Sequence, residues 1–229
     1  MKDILYFGVD TASQLSSVFL GTSERVIFQL GFPQKSAMES LVNCGWWLWE
    51  KSGVSPRDVD VFIVNRGPGS LTGIKIGIAY QRMMGKILGK PVIGISGLDA
   101  LAFSLSAHCT GKGCLLLPII RAIRNEYYFA FYEESKPVPR RIGDYERGRA
   151  EHLRIPGKYR KVVIGGDGAP QAFPLLSSRM EVELVSDLFS PTALSFLVWG
   201  SVLLEEKRSG EEIEPLYLYP PPIHLKARE

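Results

Sequence analysis

Two short stretches carry residue types that could hold an anion. Asp10-Thr11-Ala12-Ser13 ends an apolar run, Ile4 to Val9, and Gly67-Pro68-Gly69-Ser70 ends another, Val61 to Val64. Asp10 sits at a strand end, facing a hairpin that could curl round a phosphate. The plainer reading, that Asp10 caps its own turn, is preferred. In the second stretch proline fixes φ and the glycines tolerate positive φ, which makes a tight turn. Ser70 is a good N-cap for a helix from Leu71, and the N–H groups of that helix start are suited to an anion. A tight strand-to-helix turn with no ligand fits equally well. The phosphate or nucleotide candidates are therefore Asp10, Thr11, Gly67, Gly69 and Ser70.

Other chemistries find little support. His108, His152 and His224 are scattered, and Cys44, Cys109 and Cys114 match no zinc spacing. No metal is expected. No Ser/His/Asp set and no H-E-x-x-H run supports hydrolysis, so no residue is assigned as catalytic. An odd number of cysteines makes no paired framework, and all are expected to be reduced thiols. The net charge of +3 does not mark a nucleic-acid binder. No charged-then-apolar leader opens the sequence and no apolar run approaches a membrane span, so a cytoplasmic protein is expected.

These stretches must be positioned by strands and helices. Ile4–Val9, Ser17–Leu20 and Val26–Leu30 read as an antiparallel meander. Lys35–Lys51 reads as a helix. Its apolar residues Met38, Leu41, Val42, Gly45, Leu48 and Trp49 recur on one face, with Trp46 and Trp47 to either side. Each tryptophan buries roughly 150–250 Å². One face of a small lobe hardly absorbs three, so at least one is expected beneath a partner chain. Ser70–Leu88 is the second helix. Gly73 and Gly77 share a face that lets another element come close, and Ile76, Tyr80, Met83 and Ile87 form an apolar stripe. Pro91–Ile95 is a further strand. Ser96-Gly97-Leu98-Asp99 resembles a capping box for a helix over Ala100–Ala107.

Thr110–Gly113 is a plausible boundary between two halves, 1–108 and 109–229. At 229 residues with 45% hydrophobic content, each half can bury a core. The second half opens as the first does: a strand from Leu115, a polar turn, then Tyr127–Tyr132. A shift that lays Asp10 on Arg121 lays Val18 on Phe129, a repeat of pattern rather than identity. From Arg140 to Lys161 eight cations (among them Arg140, Arg141, Arg147 and Arg149) face three carboxylates. A solvated basic loop is preferred there over an RNA contact. Val162–Ile164 is a strand before the Gly165-Gly166-Asp167-Gly168 turn. Ser190-Pro191 should cap a helix reaching about Lys207, with Ala193, Leu194, Leu197, Val198, Ser201 and Leu204 inside. Tyr219 to Pro222 reads as polyproline-like.

Several of these runs resemble the TsaB family, also called YeaZ. They are Ile4–Ser17 with Asp10-Thr11, the run Arg66-Gly67-Pro68-Gly69-Ser70-Leu71-Thr72-Gly73-Ile74-Lys75-Ile76-Gly77, Pro91–Ser96, and Glu214-Pro215-Leu216-Tyr217-Leu218. The glycine run is close to the family's G-P-G-S-F-T-G-[LV]-R-I-G. The likeness is strong over residues 1–107 and diffuse over 108–213. It implies an α/β, two-lobed actin/Hsp70/sugar-kinase-like fold with mixed sheets flanked by helices. It also implies a noncatalytic subunit in making N6-threonylcarbamoyladenosine at position 37 of tRNAs that read ANN codons. In the family TsaD transfers the threonylcarbamoyl group, TsaE is the associated ATPase, and TsaB pairs with TsaD or with itself through two N-lobe helices. Those helices correspond to Lys35–Lys51 and Ser70–Leu88. The implied interface is Met38, Leu41, Val42, Gly45, Trp46 and Trp49 with Gly73, Ile76, Gly77, Tyr80, Met83 and Met84. No cofactor is expected for the chain alone, and ATP or ADP only within the complex. The chain departs from the family at Arg121, where an aspartate is usual, at Lys35-Ser36, where a histidine is frequent, and at Tyr219, where the family closes with arginine. The alternative is an actin-fold ATPase or kinase, which needs carboxylates from both lobes and has only Asp10 and the distant Asp167.

Overall fold

β1 (Tyr6–Asp10) is buried from end to end, and both of its edges are paired. On one side β2 (Leu15–Gly21) runs antiparallel, placing Asp10 opposite Ser17. On the other β4 (Val61–Asn65) runs parallel. β3 (Val26–Pro33) and β5 (Val92–Ile95) complete a five-stranded sheet in the order β3-β2-β1-β4-β5. The computed structural model describes residues 3–109, 113–157, 159–206 and 213–218. The second sheet repeats the first. β6 (Cys114–Arg121) is central, β7 (Tyr127–Glu133) and β8 (Arg140–Gly148) lie antiparallel on one side, and β9 (Lys161–Gly165) and β10 (Glu181–Leu184) lie parallel on the other. A weak pattern repeat in sequence is thus a full repeat of strand order. The central strands read as unbroken apolar runs because both faces are covered.

α1 (Ala37–Ser52) and α2 (Leu71–Leu88) lie on one face of the first sheet. Leu41 and Leu48, with half-buried Ile76, Tyr80 and Met84, pack there on Phe7, Val9 and Phe62. α4 (Ala169–Ser177) covers the far face of the second sheet. The middle layer comes from both halves. α3 (Gly97–Ser106) sets Leu98, Ala102 and Leu105 against Leu116, Ala130 and Val163 of the second sheet. α5 (Ala193–Glu205) returns to set Ala193, Phe196 and Leu197 against Tyr6, Val61 and Ile63 of the first. The strands of the first sheet all precede those of the second, while α3 packs on the second sheet and α5 on the first.

Several expectations need correction. α3 begins at Gly97, and Ser96 caps it by accepting from Leu98 N at 3.2 Å. Asp99 does not complete a capping box: its carboxylate accepts the hydroxyls of Tyr132 and Tyr145 at 2.7 and 2.6 Å. α5 is capped by Thr192, two residues beyond Ser190, because Thr192 accepts from Ser195 N at 3.3 Å. Its buried face is Ala193, Ser195, Phe196, Leu197 and Gly200, rotated from the expected one. The first part of the basic segment is not a loop. Arg140–Gly148 is the edge strand β8, paired with β7. Cys109 and Cys114 are joined in a disulfide, and Cys44 alone is a free thiol. The reduced-thiol expectation fails for that pair, whose Cα atoms stand 5.9 Å apart, within the span of a disulfide. Residues 110–112 of the expected boundary, Lys158, Lys207 and the polyproline-like run from Tyr219 lie outside the described residues.

Candidate functional site

The turn after β1 and the turn after β4 form one packed unit. Asp10 is buried and accepts four hydrogen bonds: Ala12 N at 3.0 Å, Ser13 N at 3.2 Å, Ser13 Oγ at 2.6 Å and Asn65 Nδ2 at 2.9 Å. Burial pushes its carboxyl above the usual range, against the opposing pull of those bonds. The glycine loop closes over this turn. Ser70 N donates to Ala12 O at 2.9 Å, and Gly67 N donates to Asn65 Oδ1 at 2.9 Å. Ser70 Oγ accepts from Gly73 N at 3.2 Å and from Gln34 Nε2 at 2.6 Å. Thr11 Oγ1 donates to Gly73 O at 2.7 Å. A Cβ on Gly69 would stand 2.4 Å from the Ala12 carbonyl oxygen. The five phosphate candidates are brought together, but each of these contacts is to another part of the chain. Asp10 is a turn cap, as the plainer sequence reading has it.

Beside this unit, between the sheets, a cleft of about 280 Å³ is lined by Ser13, Gln14, Ser70, Arg121, Tyr128 and Asp167. Asp167 takes Arg121 N at 2.8 Å on one oxygen and Gln14 Nε2 at 3.0 Å on the other, so one carboxylate ties both lobes. Arg121 Nη2 donates to the Asp167 carbonyl at 3.3 Å. Burial raises the Asp167 carboxyl, with Arg121 and Gln14 opposing. Of the two carboxylates that a magnesium–nucleotide site would use, Asp10 is thus bonded within its own turn and to Asn65, Asp167 is bonded to Arg121 N and Gln14, and a cation stands at the end of β6. Among the described residues no three His, Cys, Asp or Glu stand together.

The interface candidates divide by burial. Met38, Val42, Trp46 and Met83 are exposed, Trp46 at 60%. Trp49, Ile76, Tyr80 and Met84 are half-buried against the sheet, with the Trp49 ring 4.4 Å from that of Phe7. Leu41 and Gly45 are buried, and a Cβ on Gly45 would meet Tyr80 Oη at 2.8 Å. Gly73 and Gly77 correct the expectation most sharply. A Cβ on Gly73 would lie 1.8 Å from the Thr11 carbonyl oxygen, and one on Gly77 would lie 2.4 Å from Thr11 Oγ1. The glycine stripe faces β1, not a partner. Trp47, which the sequence places beside the α1 face, and Ile87, which it places on the α2 stripe, are also exposed.

The basic residues are mostly spent within the chain. Arg140 pairs with Glu133, and Arg147 with Glu126 at 2.5 Å. Arg141 stacks 3.7 Å from the Tyr145 ring. Arg149 is exposed at the head of a short 3₁₀ turn, Ala150–His152.

Known proteins resemble this arrangement. A family model described as TsaD, tRNA N6-adenosine threonylcarbamoyltransferase, matches residues 35–146. The tRNA threonylcarbamoyladenosine biosynthesis protein TsaB of Haemophilus influenzae is 26% identical over 226 residues, 95% of this chain and 94% of that protein. TsaB of Bacillus subtilis is 32% identical over 80 residues, 35% of this chain. The chain matches only 33% of the B. subtilis protein's length and 54% of the Escherichia coli one's. YeaZ from Pseudomonas aeruginosa superposes with a TM-score of 0.78 over 94% of this chain and all of that one, at 22% identity. In sequence and in fold the chain is similar to the TsaB/YeaZ proteins. Its two-lobed fold is that of the sugar kinases as well: an Arthrobacter glucomannokinase covers 89% of the chain at a TM-score of 0.50 and 12% identity. The TsaD match begins at the head of α1 and takes in α2, so the two exposed helices lie inside the shared span. No helix among the described residues is long and apolar enough to cross a membrane.

Proposed function

We propose that the chain acts in threonylcarbamoyladenosine formation on tRNA as a noncatalytic subunit, docking a TsaD-type threonylcarbamoyltransferase on the outer face of α1 and α2. The observation that carries this is the pair of adjacent helices presenting Met38, Val42, Trp46, Met83 and Ile87 to solvent. Contiguous exposed apolar area with an aromatic anchor is what a protein interface offers. The names of the relatives support the pathway, and the likeness of residues 35–146 to TsaD is in keeping with a partner of similar fold. Two like lobes can then pair face to face, and a second copy of this chain competes for the same face. TsaE and tRNA join through the assembled complex, with ATP or ADP held there rather than by this chain. Placement in the cytoplasm follows from acting on tRNA.

The ATPase reading is disfavoured by the inward commitment of Asp10 and the cation Arg121 in the cleft. The test is light scattering on a sizing column with TsaD of the same organism. Wild type should give a one-to-one peak, and Trp46→Glu or Met83→Glu should abolish it while the chain stays folded. Unchanged pairing in both variants would remove this face from the proposal.

A further inference from the structure

Away from the cleft and from the outer face of α1 and α2, a second cavity of about 280 Å³ opens where β5, the start of α3, β8 and α5 meet. Two half-buried arginines from different sheets line it: Arg66, just past β4, and Arg141, in β8. Both are held from behind. Arg141 lies 3.7 Å over the Tyr145 ring and gives its Nε to the Gly143 carbonyl at 3.1 Å, so its two terminal nitrogens are its remaining donors. Tyr145 is fixed in turn through its hydroxyl bond to Asp99. Arg66 is anchored through its backbone, with its N bonded to Ile95 O at 2.9 Å and its O to Leu216 N at 2.8 Å. Its side chain crosses β5 at Gly94, where a Cβ would lie 3.3 Å from Arg66 Cδ.

Asp99 is the one acidic side chain among the described residues lining the cavity, and its oxygens already accept two tyrosine hydroxyls. Two cations therefore face one committed carboxylate. The rest of the wall is largely apolar, with Trp199, Leu203 and Ile213. Guanidinium groups favour planar carboxylate and phosphate oxygens. The volume suits a small ligand, at the lower end of ordinary binding cavities.

We propose that this cavity binds a small organic anion, a phosphate or carboxylate with an apolar end. The anionic head sits at Arg66 and Arg141, and the apolar end lies against Trp199 and Leu203. This site is separate from the docking face and goes beyond the function proposed above. Phenyl phosphate and benzoate are the probes, with phenol as the uncharged control. The reporter is the indole N–H of Trp199, which donates to the Asp99 carbonyl at 2.9 Å; its nuclear magnetic resonance signal is assigned with Trp199→Phe. One or both anions should shift that signal saturably, and which one does so distinguishes a phosphate from a carboxylate ligand. Arg66→Met and Arg141→Met should each weaken binding about tenfold or more. Arg121→Met, in the other cavity, should leave it unchanged. Melting curves establish that each variant is folded, and either arginine alone suffices for the test. The proposal is overturned if neither anion moves the Trp199 signal or if phenol moves it as strongly. It also fails if both folded arginine variants bind as wild type does.

Discussion

The two sheets share a strand order and differ in where they put charge. In the first, the central strand ends in a carboxylate, Asp10, and the neighbouring strand β4 ends in its amide partner, Asn65. In the second, the central strand ends in a cation, Arg121, and the carboxylate, Asp167, follows the neighbouring strand β9. Asp10 is sealed in and saturated by its own turn, whereas Asp167 stands in the cleft and reaches Gln14 of the other lobe. The closures differ too. α2 brings Gly73 and Gly77 onto Thr11, while α4 packs through Ala169, Ala172 and Leu176. A duplicated frame has thus been specialised: one lobe is welded around its first turn, and the other uses its turn as a tether.

The largest effects should come from the weld. Gly73→Ala puts a Cβ 1.8 Å from a backbone carbonyl oxygen that cannot swing away. About 3 kcal/mol or more of stability should be lost in urea titration. Gly77→Leu should fail to fold, because its Cβ would stand 2.4 Å from Thr11 Oγ1 and 3.3 Å from Val64 Cγ2, with no room for the rest of the side chain. In the second lobe Gly168→Ala meets the Tyr127 and Ile119 side chains first, at 2.7 and 3.0 Å, and these can shift. About 1 kcal/mol is expected there. Equal losses at 73 and 168 would erase the contrast between the lobes.

Next come the charges. Asp10→Ala strands three N–H donors and a hydroxyl, and should cost about 2–4 kcal/mol. Arg121→Ala removes an exposed side chain with one hydrogen bond, and should change stability by about 0.5 kcal/mol or less. The pH dependence has a definite sign. Burial raises the folded-state value of Asp10 above that of the unfolded chain, so its ionised form opposes folding. Its stabilising contribution is full below the unfolded value, about 4, and is lost as pH rises through the raised folded value. Wild type should therefore lose stability relative to Asp10→Asn across that window. A gain instead would mean that the four hydrogen bonds outweigh burial. The smallest effect belongs to the tether. Gln14→Ala should cost about 0.5 kcal/mol, yet speed hydrogen exchange at the cleft-lining amides of the 120–123 turn.

Much of the fold was legible because its signals are local. Buried strands, the Ser70 cap and the glycine turns are set by neighbours in sequence, and the repeat could be read from the matching order of strand, polar turn and strand. What escaped depends on partners far along the chain. Asp99 looks like a capping residue until Tyr132 and Tyr145 arrive from β7 and β8. Gly73 and Gly77 mark a close approach, but spacing cannot say whether the approaching backbone is β1 or another protein. The Arg140–Lys161 segment reads as a loop by charge, although Glu133 and Glu126 neutralise two of its arginines across the strand pair. In the candidate site, Asp10 as a turn cap was readable from its own Ser13, while the tether to Asp167 was not.

We propose that the outer face of α1 and α2, not the cleft, is where this protein works. It is tested most directly by mixing the chain with TsaD of the same organism and measuring mass by light scattering on a sizing column. The account expects a one-to-one complex that Trp46→Glu abolishes and Arg121→Ala leaves intact. A complex that survives Trp46→Glu and is lost with Arg121→Ala would contradict it.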